Sequence, residues 1–156
     1  LDDVMRAQQG FTIVELVAVI VIVSILAAVS GPKFIGSDTF VARGTYSTLL
    51  SALRLAQKTA IAQRTTVYFN LNATTRVLCL GYDSACATPM LDPATQAAYS
   101  KTFANTVTLA MSRTDIAFNS EGIPASGVTT TISVQNNVGS ETARTITIEK
   151  DTGYAR

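Results

Sequence analysis

The sequence predicts an α+β fold in which a long N-terminal helix packs on an antiparallel β-sheet head. Three observations predict it. Residues 16 to 32 are a run of apolar and small residues without a single charge. Between Tyr46 and Ala60 the apolar residues recur at i, i+3 and i+4, the helical period. From Thr65 onward the period drops to two, as in half-buried strands. Helix first and strands afterwards is an α+β order, and 156 residues hold one ordinary domain plus an extension.

The first element is unusual in what precedes it. Leu1 to Val4 read as an upstream extension before Met5, and Met5 to Gly10 are short and polar with one Arg. The apolar run starts only at Phe11. A secretory signal places its cleavage site after the apolar stretch; here the Gly stands before it. Phe11 to Pro32, flanked by Lys33, has about the 20 residues that a helix needs to cross a bilayer core. In lipid, helix is the single-segment way to pair every backbone group. Glu15 is the exception within this run. A carboxylate at a helix start is favoured by the positive end of the helix dipole. The other reading is a charge that awaits a cationic partner in an assembly.

Gly10-Phe11-Thr12-Ile13-Val14-Glu15 followed by the apolar run resembles the prepilin signature of type IV pilins and type II secretion pseudopilins. The resemblance implies that a prepilin peptidase cuts between Gly10 and Phe11 and methylates the new N-terminus. It implies that Glu15 pairs with the N-terminal amine of a neighbouring subunit. It also implies other pilin or pseudopilin subunits and an inner-membrane assembly platform as partners. The chain would sit in the bacterial inner membrane with its head in the periplasm, and then in a pilus or pseudopilus. Pro32 stands where many members of that family carry a helix-kinking proline.

The helical pattern continues to about Arg64. Tyr46, Leu49, Leu50, Leu53, Ala56 and Ala60 form one stripe, and Ser47, Thr48, Ser51, Arg54, Gln57 and Lys58 a polar face. The stripe is expected to pack under a sheet. Gly31, Pro32, Gly36 and Gly44 weaken the helix between them, so a kink is expected there. The expected segments are thus a leader over 1–10, a spanning helix over 11–32, an amphipathic continuation over 33–64 and a β-rich head over 65–156.

In the head, Val67, Phe69 and Leu71 alternate with Tyr68, Asn70 and Asn72. A turn at Asn72 to Thr75 leads to a returning strand over 76–81. Val107 to Met111, Ile116 to Phe118, Thr129 to Val134 and Thr145 to Glu149 are further β-rich runs. Residues 83–105 read as an insertion in which Asp92-Pro93 caps a short helix. Ile116-Ala-Phe118-Asn-Ser-Glu-Gly122 and the closing Ile146-Thr-Ile148 to Thr152-Gly153 resemble the GspH/FimT-like minor pilins and pseudopilins. That resemblance implies a minor subunit at the tip or in initiation. A minor subunit of a mannose-sensitive-haemagglutinin-type pilus fits equally well.

Composition excludes much chemistry. The chain has no His, which removes the commonest general base and transition-metal ligand. No clustered oxygen ligands or phosphate-binding loop are present, so neither metal nor cofactor is expected, and no enzyme. The head's carboxylates (Asp83, Asp92, Asp115, Glu121, Glu141, Glu149 and Asp151) read as solvated charge. Cys79 and Cys86 fit no zinc spacing. A disulfide is expected if the head faces an oxidising compartment; two buried thiols are the alternative. The net charge is +1, rising to +2 once Asp2, Asp3 and Arg6 leave with the leader, which is little for nucleic acid. Arg144, Lys150 and Arg156 form at most a weak basic edge. A filament-displayed DNA-uptake receptor or adhesin is the alternative to a structural subunit.

Overall fold

The computed structural model describes residues 11–30, 37–137 and 143–156. The chain divides into two compact units, Leu1–Ser37 and Asp38–Arg156. The described part of the first is one helix, α1 (Ile13–Ser30).

α2 (Ser37–Gln63) belongs, all but its first residue, to the second unit. Ala42, Thr45, Leu49, Ala52, Leu53, Ala56 and Ala60 are its buried positions, so one stripe faces inward. Ser37 to Gly44 is regular helix; the rest of the expected kink, with Pro32, lies outside the described residues. Arg64 ends α2 with a φ of 50°. The Thr65 N–H then donates to the Ala60 carbonyl and the Arg64 N–H to the Ile61 carbonyl. This closes the helix as glycine-ended helices close, with an arginine in the left-handed position.

Seven strands follow: β1 (Val67–Asn72), β2 (Val77–Gly81), β3 (Ser100–Thr102), β4 (Val107–Met111), β5 (Ile116–Phe118), β6 (Thr130–Asn136) and β7 (Arg144–Ile148). They form two sheets, in the orders β3-β2-β1-β5 and β4-β6-β7, and every pairing is antiparallel. The expectation was one sheet. Two form because β4 pairs with β6 and not with its neighbours in sequence, taking the C-terminal strands with it. Both sheets send their inward residues, among them Phe69, Leu78, Leu80, Phe118, Ile132, Ile146 and Ile148, into one core with the α2 stripe.

The insertion differs from expectation. Residues 93–95 are a turn, not a short helix. Asp92 does cap: its Oδ1 accepts from the Ala94 N–H at 2.9 Å. The chain then reverses through Gln96, whose φ is 56°, and Leu91 pairs with Ala98. The Lys101 ammonium, 3.0 Å from Asp92, holds the closed turn to β3. Cap chemistry was legible, but it serves a β-turn because Tyr99, buried in the core, pulls the chain back to the sheet.

Candidate functional site

The N-terminal signature begins at Gly10, which lies outside the described residues. Phe11 and Thr12 precede α1. Thr12 caps it: its Oγ1 accepts from the Glu15 N–H at 3.2 Å, and its carbonyl accepts from the Leu16 N–H at 3.1 Å. A threonine followed three residues later by a glutamate is a helix-start pattern, worth about 1 kcal/mol as a cap. Glu15 thus stands in the first turn, with its side chain exposed.

Everything around Glu15 is greasy. Phe11, Ile13, Val14, Leu16, Val17, Val19, Ile20, Val21, Ile22, Val23, Ile25 and Leu26 are all half-exposed or more, and they surround the helix on every side. A helix apolar all round is one that is buried in its working state. Ser24 returns its hydroxyl to the Ile20 carbonyl at 2.7 Å and so asks nothing of its surroundings. Each such aliphatic or aromatic side chain contributes about 1.5–3 kcal/mol when fully buried. Among the described residues no helix is long and apolar enough to cross a membrane. The 18 residues of α1 rise about 27 Å, against a hydrocarbon core of about 30 Å.

On the head, a disulfide joins Cys79 of β2 to Cys86. It anchors a tight loop built on Asp83. The Asp83 carboxylate accepts from the Ala85 and Ala87 N–H groups at 2.9 Å each and from the Thr88 N–H at 2.5 Å. Asp83, expected from the sequence to be a solvated charge, is the knot of this loop. Gly81 leaves room for the loop, since a Cβ there would lie 3.0 Å from the Thr88 carbonyl and 3.2 Å from Cys86 Sγ. Closing a loop of this length contributes roughly 2–3 kcal/mol through the unfolded chain. The double variant Cys79→Ser/Cys86→Ser is therefore expected to lower the melting point of the head by about 10 °C. Calorimetry checks this; an unchanged midpoint would remove the disulfide from the account of stability.

The backbone N–H groups of Ala87 and Thr88 hold the Asp83 carboxyl below its ordinary value, as the Ala94 N–H and then Lys101 do for Asp92. The sign follows. A carboxyl lowered in the folded state stabilises above its unfolded value, near 3.9, and that stability disappears as pH falls through the folded value. With no His in the sequence, the urea midpoint should be flat from about pH 5 to 8 and fall below about pH 4. Asp83→Asn should weaken that acid dependence. A midpoint constant down to pH 3 would contradict both statements.

A second junction lies on α2. Gln57, which reads from sequence as polar-face decoration, is partly buried. Its Nε2 donates to the Gly122 carbonyl at 3.0 Å and to the Thr152 carbonyl at 2.8 Å. The two glycine-containing stretches that resembled minor pilins, 116–122 and 146–153, therefore meet on one helix side chain. Asn119 shapes the first, accepting from the Glu121 N–H at 3.0 Å and the Ile123 N–H at 2.9 Å. Arg54 continues the junction by donating to the Ala155 carbonyl at 3.2 Å.

The basic edge is weaker than its residues suggest. Arg156 is paired to Glu149 at 3.0 Å, which removes one of the three cations. No group of three or more His, Cys, Asp or Glu able to hold a metal exists among the described residues.

Comparison with known proteins agrees with this construction. The family model for type II transport protein GspH matches residues 46–152, from α2 to the second glycine stretch. The prokaryotic N-terminal methylation motif matches residues 5–31. The head resembles the crystal structure of the type IV minor pilin FimU of Pseudomonas aeruginosa, with 16% identity over 78% of this chain and 90% of that one and a TM-score of 0.58. It also resembles the minor pseudopilin EpsH from the type 2 secretion system of Vibrio cholerae, with 17% identity over 74% of this chain and 94% of that one and a TM-score of 0.58. At these identities the likeness is one of fold. No curated protein sequence matches significantly. With more than half its length under one family model and a methylation motif ahead of it, the chain belongs to the GspH family of pilin-like minor subunits.

Proposed function

We propose that the chain is held in the inner membrane by the 11–32 segment, cut between Gly10 and Phe11, methylated at Phe11, and drawn into a pilus or secretion pseudopilus at its tip or during initiation. The observation that carries this reading is α1, apolar on every side with one carboxylate in its first turn. Such a helix needs lipid or protein around it. Cleavage before Phe11 creates an ammonium in the same low-dielectric surroundings. An unpaired charge there is costly, and a paired one much less so. Exchange of lipid for a filament core therefore favours the register in which one subunit's Glu15 meets the next subunit's amine. Prepilin peptidase, the other subunits and an inner-membrane assembly platform are the partners this requires.

Replacing Gly10 by a bulky residue such as Val tests the first step. The leader should stay attached, giving an unshifted band on a denaturing gel and no protein in sheared filaments. Normal processing of that variant would remove Gly10 from the reading. Deletion of the gene, scored for surface piliation and for protein export, distinguishes pilus from pseudopilus use. Loss of neither would sink the assembly role.

A further inference from the structure

The two sheets of the head have four edges, and the chain deals with three of them. β5 is covered by the following loop, where Phe118 pairs with Pro124 and the Ala125 N–H donates to the Ala117 carbonyl. The second half of β7 is covered by the C-terminal segment, with Thr147 and Arg156 exchanging both hydrogen bonds. β3 is only three residues long and carries Lys101, the short and charged form in which edges are commonly left open.

Among the described residues, β4 has none of these protections. It stands at the end of its sheet, has five residues, Val107-Thr-Leu-Ala-Met111, and contains neither charge nor proline. Its register shows which groups are open. The Ser112 N–H donates to the Thr131 carbonyl and the Asn137 N–H to the Thr106 carbonyl. Positions 106, 108, 110 and 112 therefore turn their backbone toward β6. Leu109 and Met111 turn theirs the other way, offering N–H and C=O groups at two-residue spacing. Beside Met111 opens a groove of about 750 Å³, walled by Asn72, Thr74, Thr75, Val77 and Thr114 and without a charged side chain in its lining.

We propose that β4 accepts an extended segment of a neighbouring filament subunit by strand addition, with side chains of that segment seated in the adjoining groove. This rests on the assembly reading above. Donors and acceptors alternating along an open strand are matched by extended backbone and not by a helix. The uncharged lining argues against nucleic acid, which needs cations for its phosphates.

The test uses the full-length protein in its own cells, with a photo-crosslinking amino acid at Ala110, whose side chain is exposed. The expected product joins Ala110 to a non-helical segment of another protein that carries an N-terminal methylation motif. Met111→Pro removes an outward N–H while sparing the β6 ladder, and Met111→Val controls for the side chain. The proline variant should lower adduct yield about fivefold, the worth of one hydrogen bond. Should Met111→Pro unfold the head, Thr108→Lys/Ala110→Lys decides, with the crosslinker moved to Thr114: it charges the edge through two exposed positions and should abolish the adduct. Adducts on a partner's helix, on lipid or on DNA would overturn the proposal, as would yields unchanged by these variants. Absence of the wild-type protein from filaments and pseudopili would instead overturn the assembly reading, and the inference with it. Normal incorporation without the adduct overturns the inference alone.

Discussion

Glu15→Ala is expected to leave membrane insertion and leader cleavage intact while lowering the amount of protein in filaments by two orders of magnitude or more. The carboxylate is exposed in the first turn of α1 and is the one ionisable group among residues 11–30. In the isolated helix its loss removes a dipole interaction of about 0.3–1 kcal/mol, too little to unfold a segment held helical by lipid, as proposed above. In the filament core, under the pairing proposed above, the same loss would strand the Phe11 ammonium of the neighbour. Removing one partner of a buried pair costs about 3–5 kcal/mol, and each 1.4 kcal/mol is a factor of ten. Glu15→Gln separates charge from hydrogen bonding; it should fail nearly as badly, whereas Glu15→Asp should retain part of the incorporation. Immunoblots of sheared filaments against membranes measure the ratio. Wild-type incorporation of Glu15→Ala would show that the amine finds another counter-charge.

Gly153→Ala is expected to destabilise the head by about 3–5 kcal/mol, a fall of roughly 10–20 °C in melting point. Gly153 has a φ of 66°, and a Cβ there would lie 2.0 Å from the Gly122 carbonyl oxygen and 2.8 Å from Gln57 Nε2. A backbone oxygen cannot swing aside as a side-chain end can. The C-terminal segment would have to lift from α2, breaking the Gln57 bond to Thr152 and the Arg54 bond to Ala155 and exposing Ala155, now 1% accessible. Gly122→Ala is the informative comparison. Its φ is 78°, but the Cβ would meet the half-exposed Ile61 side chain, 2.6 Å from Cδ1 and 2.8 Å from Cγ1, with no backbone atom as close. That variant should lose only about 1–2 kcal/mol, the ordinary penalty for a side chain in the left-handed region. Thermal melts of the detergent-purified full chain rank the two. Equal losses, or a larger one at Gly122, would show that the junction on Gln57 yields more easily than its distances imply.

The legible features were those that depend on local spacing. The α2 stripe was read from its period, and Leu49, Leu53, Ala56 and Ala60 are all buried. The β1–β2 hairpin was marked by Asn72, whose Oδ1 accepts from the Thr74 and Thr75 N–H groups at 3.0 and 2.9 Å. Asp92 was read as a cap and does cap, but nothing in five neighbouring residues says that buried Tyr99 will turn the chain back into a strand. Asp83 looked like surface charge because its three donors are backbone groups, which every sequence possesses. Gln57 looked like decoration because its acceptors lie 65 and 95 residues away.

By itself the sequence determined the class of protein and carries the processing proposed for its N-terminus. Gly10, Phe11, Glu15 and the uncharged run after them are contiguous, and their meaning rests on how lipid treats charge and apolar surface, not on tertiary contacts. Only the tertiary structure decided that the head has two sheets around one core, that two distant glycine stretches close on Gln57, and that β4, alone among the longer strands, is left by the described residues with an unpaired, uncharged edge. Those outcomes depend on which strand pairs with which. Pairing is set by side chains meeting across long loops, and so by contacts that no local period in the sequence records.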